Sequence, residues 1–166
     1  MTTIQLPLSR IYFLRHARAA QPQSGQRDFD RELNDLGYAE AEIVCEKAVD
    51  NRYRPDLIIS STAVRCRQTA EAMQRAMGGE IEIRMVDEIY NGTAEIYLAL
   101  LAGQTDALSA MLVGHNPAIE DALETLIGRE SMHSAIADGY PTAGLAVIDQ
   151  IAGQTGWALH DFLFPR

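Results

Sequence analysis

Four residues lie at or just beyond the ends of short apolar runs and have the side chains needed to work on a phosphoryl group. Arg15 and His16 follow Ile11–Leu14, Arg65 lies shortly after Leu57–Ile59, and His115 follows Ala110–Val113. Phosphoryl transfer requires cationic hydrogen-bond donors around the phosphate oxygens and a nucleophile in line with the leaving atom. A neutral His16 can attack phosphorus through one ring nitrogen, while Arg15, Arg65 and His115 hold the charge that moves onto the equatorial oxygens. The two histidines read equally well as polar side chains satisfied separately at strand ends.

The elements that position these residues follow from apolar patterning. Ile11–Leu14 reads as a buried strand with a charged tip, followed by a polar stretch from Ala19 to Arg31. Asn34 is placed to cap a helix from about Asp35 to Asn51, with Ala39, Ile43, Val44 and Ala48 on its buried stripe. A second strand, Leu57–Ile59, leads through Ser60, Ser61 and Thr62 into a helix from about Ala63 to Met77, which Gly78 and Gly79 end. Ile81–Val86 alternates like a strand, Thr93–Leu101 reads as a helix, and Asp87 and Glu88 form an acidic loop between them. Ala110–Val113 is the next strand, and Pro117 suits the first turn of a helix reaching about Ile127. Gly128–Thr142 reads as a loop, and Leu145–Ile151 and Trp157–Phe162 as two closing strands joined by a turn at 153–156. Alternating strands and helices predict an α/β fold with a mostly parallel sheet, in which ligands sit at the carboxyl ends of the strands. That rule brings Arg15, His16, Arg65, His115 and Asn116 to one edge.

Composition narrows the function classes. The 166 residues suit a single domain spanning 1–166, and 47% hydrophobic with 22% charged residues is the balance of a globular protein. A net charge of -9 disfavours non-specific nucleic-acid binding. Lys47 is the only lysine; the other basic residues are arginines, a usage we attribute mainly to base composition. Cys45 and Cys66 lie in helical segments without metal or disulfide spacing, which favours a reducing, cytoplasmic setting. Residues 1–10 lack the pattern of an export signal, and no apolar run reaches membrane-spanning length. A cysteine-phosphatase loop is excluded, because Ala72 and Asn51 stand six residues after Cys66 and Cys45. GxxxxGK[ST], HExxH and GxSxG elements are absent.

Three segments also carry a resemblance. Leu14, Arg15 and His16 resemble the RH motif of the histidine phosphatase superfamily, the branch that includes cofactor-dependent phosphoglycerate mutases and acid phosphatases. The run from Ser60 to Ala70, with Arg65 and the Gln68, Thr69, Ala70 element, is similar to its second signature; Val113 to Pro117 is similar to its third. The match extends from about Arg10 nearly to the end and most resembles compact SixA-like phosphohistidine phosphatases. Leu33, Asn34, Leu36 and Gly37, together with Pro141 to Gly144, look like that subgroup. The resemblance implies a three-layer phosphoglycerate mutase-like sandwich, no cofactor and no metal. His16 would be the phosphorylated nucleophile, Arg15 and Arg65 phosphate clamps, and His115 a second phosphate-binding histidine. Ala17 departs from the glycine usual in the wider superfamily, and Arg18 is an extra cation.

Glu88 follows the third strand, near where larger relatives place the acid that protonates a leaving oxygen; Asp87 competes for that role, and a solvated loop carboxylate is the plain alternative. The imidazole of phosphohistidine leaves more easily than an alkoxide, so a weak or missing acid favours an N–P substrate. Arg18 is read as a surface residue with a substrate contact as the alternative, and Arg67 as solvent-facing. Ser60 and Ser61 are read as helix caps, with a hydrogen bond to phosphate as the alternative, and Asn116 as fixing the His115 ring or closing a turn. Tyr90 and Tyr97 are taken as core or rim aromatics, Glu120, Asp121 and Glu124 as a solvated face, and His133 and His160 as lying outside the chemistry.

The leading expectation is a phosphohydrolase acting on phosphohistidine carried by a protein, because a short chain without a lid insertion leaves an open pocket. A small-molecule phosphomonoesterase and a phosphate-binding module without turnover are the alternatives. A mutase is disfavoured because it must shield its intermediate from water. Activity is expected to fall at low pH as His16 takes up a proton, with His115 serving best as a cation. Nothing in the sequence fixes the oligomeric state.

Overall fold

The computed structural model describes residues 5–153 and 155–166. Six strands, β1 (Arg10–Arg15), β2 (Leu57–Ser61), β3 (Glu82–Val86), β4 (Ser109–Gly114), β5 (Leu145–Gln150) and β6 (Trp157–Leu163), form one sheet in the order β3-β2-β4-β1-β5-β6. The four strands from β3 to β1 are mutually parallel, and β5 runs antiparallel to both β1 and β6. Central strands β1 and β4 are covered on both faces, which is why they read as unbroken apolar runs rather than alternating ones.

The alternation within β1 shows how the layers are built. Tyr12 and Leu14 pack on one side with Val44, Ala48, Ala70 and Met73, from α1 (Asp35–Asp50) and α2 (Val64–Ala76). Ile11 and Phe13 pack on the other with Tyr97, Leu101, Ile119, Leu123 and Met132, from α3 (Ala94–Ala102), α4 (Ala118–Ile127) and α5 (Arg129–Ala135). The result is the three-layer α/β sandwich expected from the sequence. Among the described residues no helix is long and apolar enough to cross a membrane.

One segment differs in type from its expectation. Gly128–Thr142 is not all loop: α5 occupies Arg129–Ala135, entered through Gly128 at φ +89°. Its seven residues are too few to display a helical period, and the helix is held by burial of Met132, with Ile136 beyond its end. The hairpin between β5 and β6 is as expected, although Gln154, within the turn, and Met1–Ile4 lie outside the described residues.

Candidate active site

Parallel strands β1, β2 and β4 deliver their carboxyl ends to the same edge, and the side chains there meet. The ring centroids of His16 and His115 are 5.4 Å apart, and an Arg65 guanidinium nitrogen lies 3.4 Å from His115 Nδ1. Arg15 continues the Ile11–Phe13 face of β1, and its guanidinium donates to the Tyr140 carbonyl at 2.6 Å. Its Nε–H is buried with no partner among the described residues, a donor ready for an anion.

The backbone around His16 is pinned from both neighbouring strands. His16 N–H donates to the Gly114 carbonyl at 3.1 Å, and Ala143 N–H reaches the carbonyls of Arg15 and His16, both at 3.1 Å. Ala143 adopts φ +59°, which explains the turn-forming run Pro141 to Gly144. On the opposite side, Ala17 N–H donates to Thr69 Oγ1 at 3.0 Å, while Gln68 Oε1 accepts from Leu33 N–H at 2.8 Å. The Gln68–Thr69–Ala70 element is therefore a brace between α2 and the segment carrying His16. Asn34 caps α1 by accepting from Gly37 N–H at 2.7 Å. A Cβ at Gly37 would stand 2.0 Å from the Arg18 carbonyl oxygen, so glycine is required there.

The two histidines differ in tautomer and surroundings. His16 Nδ1 is 2.8 Å from the Ala17 carbonyl oxygen, which only accepts; Nδ1 therefore carries the proton and Nε2 keeps its lone pair. Burial, reinforced by His115, Arg65 and Arg15, lowers the His16 pKa to about 3. Burial and Arg65 lower His115 to about 4, so the resting His115 is neutral rather than the expected cation. His115 Nε2 lies 2.8 Å from Ser61 Oγ, and its backbone N–H donates to the Tyr97 hydroxyl at 3.0 Å. Gly114 is small because Tyr97 fills the space its Cβ would need, 2.5 Å from the hydroxyl oxygen. Cys66 Sγ lies 3.5 Å from His115 Nε2, and burial pushes its thiol up to about 12, which removes it as a nucleophile.

The secondary expectations divide: those for Ser60, Ser61, Asn116 and Glu120 are revised, and Arg18 and Arg67 lie at the surface as expected. Ser60 and Ser61 do not cap α2: Ala63 precedes the helix without a side-chain cap, Ser60 Oγ donates to the Ser61 carbonyl, and Ser61 holds His115. Arg18 turns toward α1, 3.8 Å from Glu40, with its side chain 54% exposed. Asn116 makes no hydrogen bond to the His115 ring, and its Oδ1 is buried without a partner among the described residues. Glu88 and Asp87 are exposed, and no ion pair or side-chain hydrogen bond from the described residues engages them; the proton-donor assignment rests on chain position alone. Arg67 pairs with Glu71 at 3.3 Å on the surface. Glu120, read as solvated, accepts from Tyr140 N–H at 2.9 Å and supports the Arg15 contact.

Sequence reasoning missed Asp28, in a 3₁₀ turn (Asp28–Asp30) within the polar stretch after β1. Arg65 donates to the Asp28 carbonyl at 2.8 Å and to its Oδ2 at 3.0 Å; Tyr90 donates to the same Oδ2 at 2.7 Å. Arg31 donates to Oδ1 at 2.8 Å. Phe29 packs edge-on against Tyr90 at 5.1 Å, fixing the turn over the site, and Tyr90 lies 5.5 Å from the His115 ring. No period or motif marks such a turn; the only sequence signal is an acidic residue flanked by arginines.

Beside His115 a groove of about 310 Å³ is lined by Tyr90, Thr93, Asn116 and Asp121. Among the described residues no group of three or more His, Cys, Asp and Glu side chains is arranged to hold a metal ion.

Comparison with known proteins matches residues 11–107 to the model of the histidine phosphatase superfamily, branch 1. The structure superposes on the proposed phosphohistidine phosphatase SixA from Agrobacterium tumefaciens with a TM-score of 0.88 at 55% identity, covering 94% of this chain and 97% of that one. The tungstate complex of the protein histidine phosphatase SixA shares the fold, with a TM-score of 0.79 at 17% identity over 94% of this chain and 97% of that one. A chloroplast protein of Arabidopsis thaliana is 27% identical over 94% of this chain and 78% of its own length.

Proposed function

We propose, for a chain that belongs to the histidine phosphatase superfamily, that this SixA-like phosphatase removes phosphate from phosphohistidine carried by a protein, through a covalent phosphohistidine at His16. The observation that carries the reading is the His16 tautomer. With Nδ1–H bound to the Ala17 carbonyl, Nε2 is the unprotonated atom, and the depressed pKa keeps it so at neutral pH.

In the first step His16 Nε2 bonds to phosphorus as the P–N bond of the substrate breaks, and the bonding pair returns to the leaving imidazole nitrogen. In the second, water attacks the phosphorus of phospho-His16, the P–Nε2 bond breaks and phosphate departs. Charge on the equatorial oxygens is met by Arg65, by the unpartnered Nε–H of Arg15 and by His115, whose basicity rises beside the phosphate. An imidazole leaving group needs little help from an acid, which agrees with exposed, unengaged carboxylates at Asp87 and Glu88. The chain has no obvious insertion to form a lid, which suits a phosphate presented on a protein.

The test is phosphate release from a phosphohistidine-bearing phosphotransfer domain, beside an aryl phosphate, for wild type and His16→Ala. Turnover of the carrier, lost in the variant together with a phosphate adduct detected by intact mass, is the expected result. Turnover of the aryl phosphate alone makes the protein a small-molecule phosphomonoesterase. Binding of the carrier without release makes it a phosphate-recognition module.

A further inference from the structure

Asp28 is a charged group bound directly to Arg65 that this mechanism leaves unused. Its carboxylate is held by groups from three places: Arg65 at the start of α2, Arg31 after the 3₁₀ turn, and Tyr90 beyond β3. Two carboxylate oxygens offer about four acceptor sites. Three are filled by these donors, and the side chain remains 51% exposed. Oδ2 is filled by Arg65 and Tyr90, so the acceptor site that remains for a group arriving from solvent is on Oδ1, beside Arg31, on the carboxylate whose other oxygen is held by the arginine proposed to grip the phosphate.

The same donors decide what Asp28 can do. Tyr90, Arg31 and Arg65 hold the carboxyl far below the usual carboxylate range, so at neutral pH it has no proton to give to a leaving group. It can accept a hydrogen bond and oppose a positive charge. Phosphohistidine offers both when the ring nitrogen not bonded to phosphorus is protonated.

Resting on the phosphohistidine reading above, we propose that Asp28 is a specificity-determining residue whose carboxylate receives the distal N–H of the substrate's phosphorylated imidazolium. The proton stays on that distal nitrogen while His16 Nε2 bonds to phosphorus and the P–N bond breaks, with its electron pair returning to the leaving nitrogen. The ring departs as neutral imidazole, and no proton moves in the step. An alkyl or aryl phosphate has no such N–H, and the fixed negative charge does nothing for a departing alkoxide or phenolate.

The experiment compares wild type with Asp28→Asn on N-phosphoimidazole, on a phosphohistidine-bearing phosphotransfer domain and on p-nitrophenyl phosphate, with pH profiles from 5 to 9. Arg31, Arg65 and Tyr90, which hold the Asp28 carboxylate, and His115 and Arg15 at the same strand edge are unchanged in the variant. The ratio of kcat/KM for the N–P substrates to that for the aryl ester should fall about tenfold. The basic limb of the N–P kcat profile, which reports the bound substrate, should move down by about one pH unit, since one unit of substrate pKa is a tenfold change in the protonated fraction. An equal fall on all three substrates would make Asp28 a positioning residue for Arg65. An equal rise would make it a competitor for the phosphate site. Either result overturns the proposal. Wild-type turnover of p-nitrophenyl phosphate alone overturns the phosphohistidine reading itself, a failure visible before any variant is compared. Asp28→Glu, which keeps the charge on a longer arm, should recover part of the lost ratio.

Discussion

Acidification from pH 7 to pH 5 should cost this protein about 4 kcal/mol of stability through two residues alone. In the unfolded chain a histidine titrates near 6.5, so at pH 5 it is almost fully protonated. In the folded protein burial keeps His16 at about 3 and His115 at about 4, both below pH 5. The unfolded state therefore binds more protons across this window, and linkage makes stability fall as pH falls. Each histidine contributes about 1.5 pH units of protonation difference, or about 2 kcal/mol. Asp28 and Asp149, whose folded pKa values are also depressed, lose their contribution at lower pH, below the carboxylate range. Urea denaturation at the two pH values gives the free energies, and imidazole carbon-proton NMR shifts give the titrations residue by residue. A stability difference under about 1 kcal/mol, or an active-site ring titrating near 6.5, would refute the reasoning. The same depression revises the pH dependence of the reaction. The enzyme's own acid limb lies below pH 5, so turnover should be level from 5 to 8 wherever the substrate's ionisation is constant.

Other substitutions probe the supports of the site. Ser61→Ala removes the partner of His115 Nε2 and should lower kcat about tenfold, for a loss of about 1 kcal/mol in urea denaturation. Thr69→Val leaves the buried Ala17 N–H without an acceptor and should destabilise by about 1–3 kcal/mol, read as a fall in Tm. Gly37→Ala drives a Cβ into the Arg18 carbonyl and should reduce both stability and turnover, because the displaced backbone lies two residues from His16. Glu88→Gln should change phosphohistidine turnover less than about threefold; a loss of 10² or more would make Glu88 a general acid.

Legibility in the sequence followed burial. Strands β1, β2 and β4 are covered on both faces, so Ile11–Leu14, Leu57–Ile59 and Ala110–Val113 stand out as apolar runs with polar tips, and the sheet rule then places Arg15, His16, Arg65 and His115 at one edge. Residues that orient these side chains were harder to read because their function depends on partners far along the chain. Ser61 looks like a helix cap beside Ala63, and only the arrival of His115 from β4 shows which ring it holds. Tyr97 reads as core, and it is core; its hydroxyl supports the His115 backbone only because Gly114 leaves room. Asp28 lies in a turn too short to have a period, and it acquires meaning through Arg65 and Tyr90, 37 and 62 residues away. In this fold the reactive atoms come from strand ends, which hydrophobic patterning locates. Their hydrogen-bond partners come from loop and helix-start residues, which only the folded structure brings into contact.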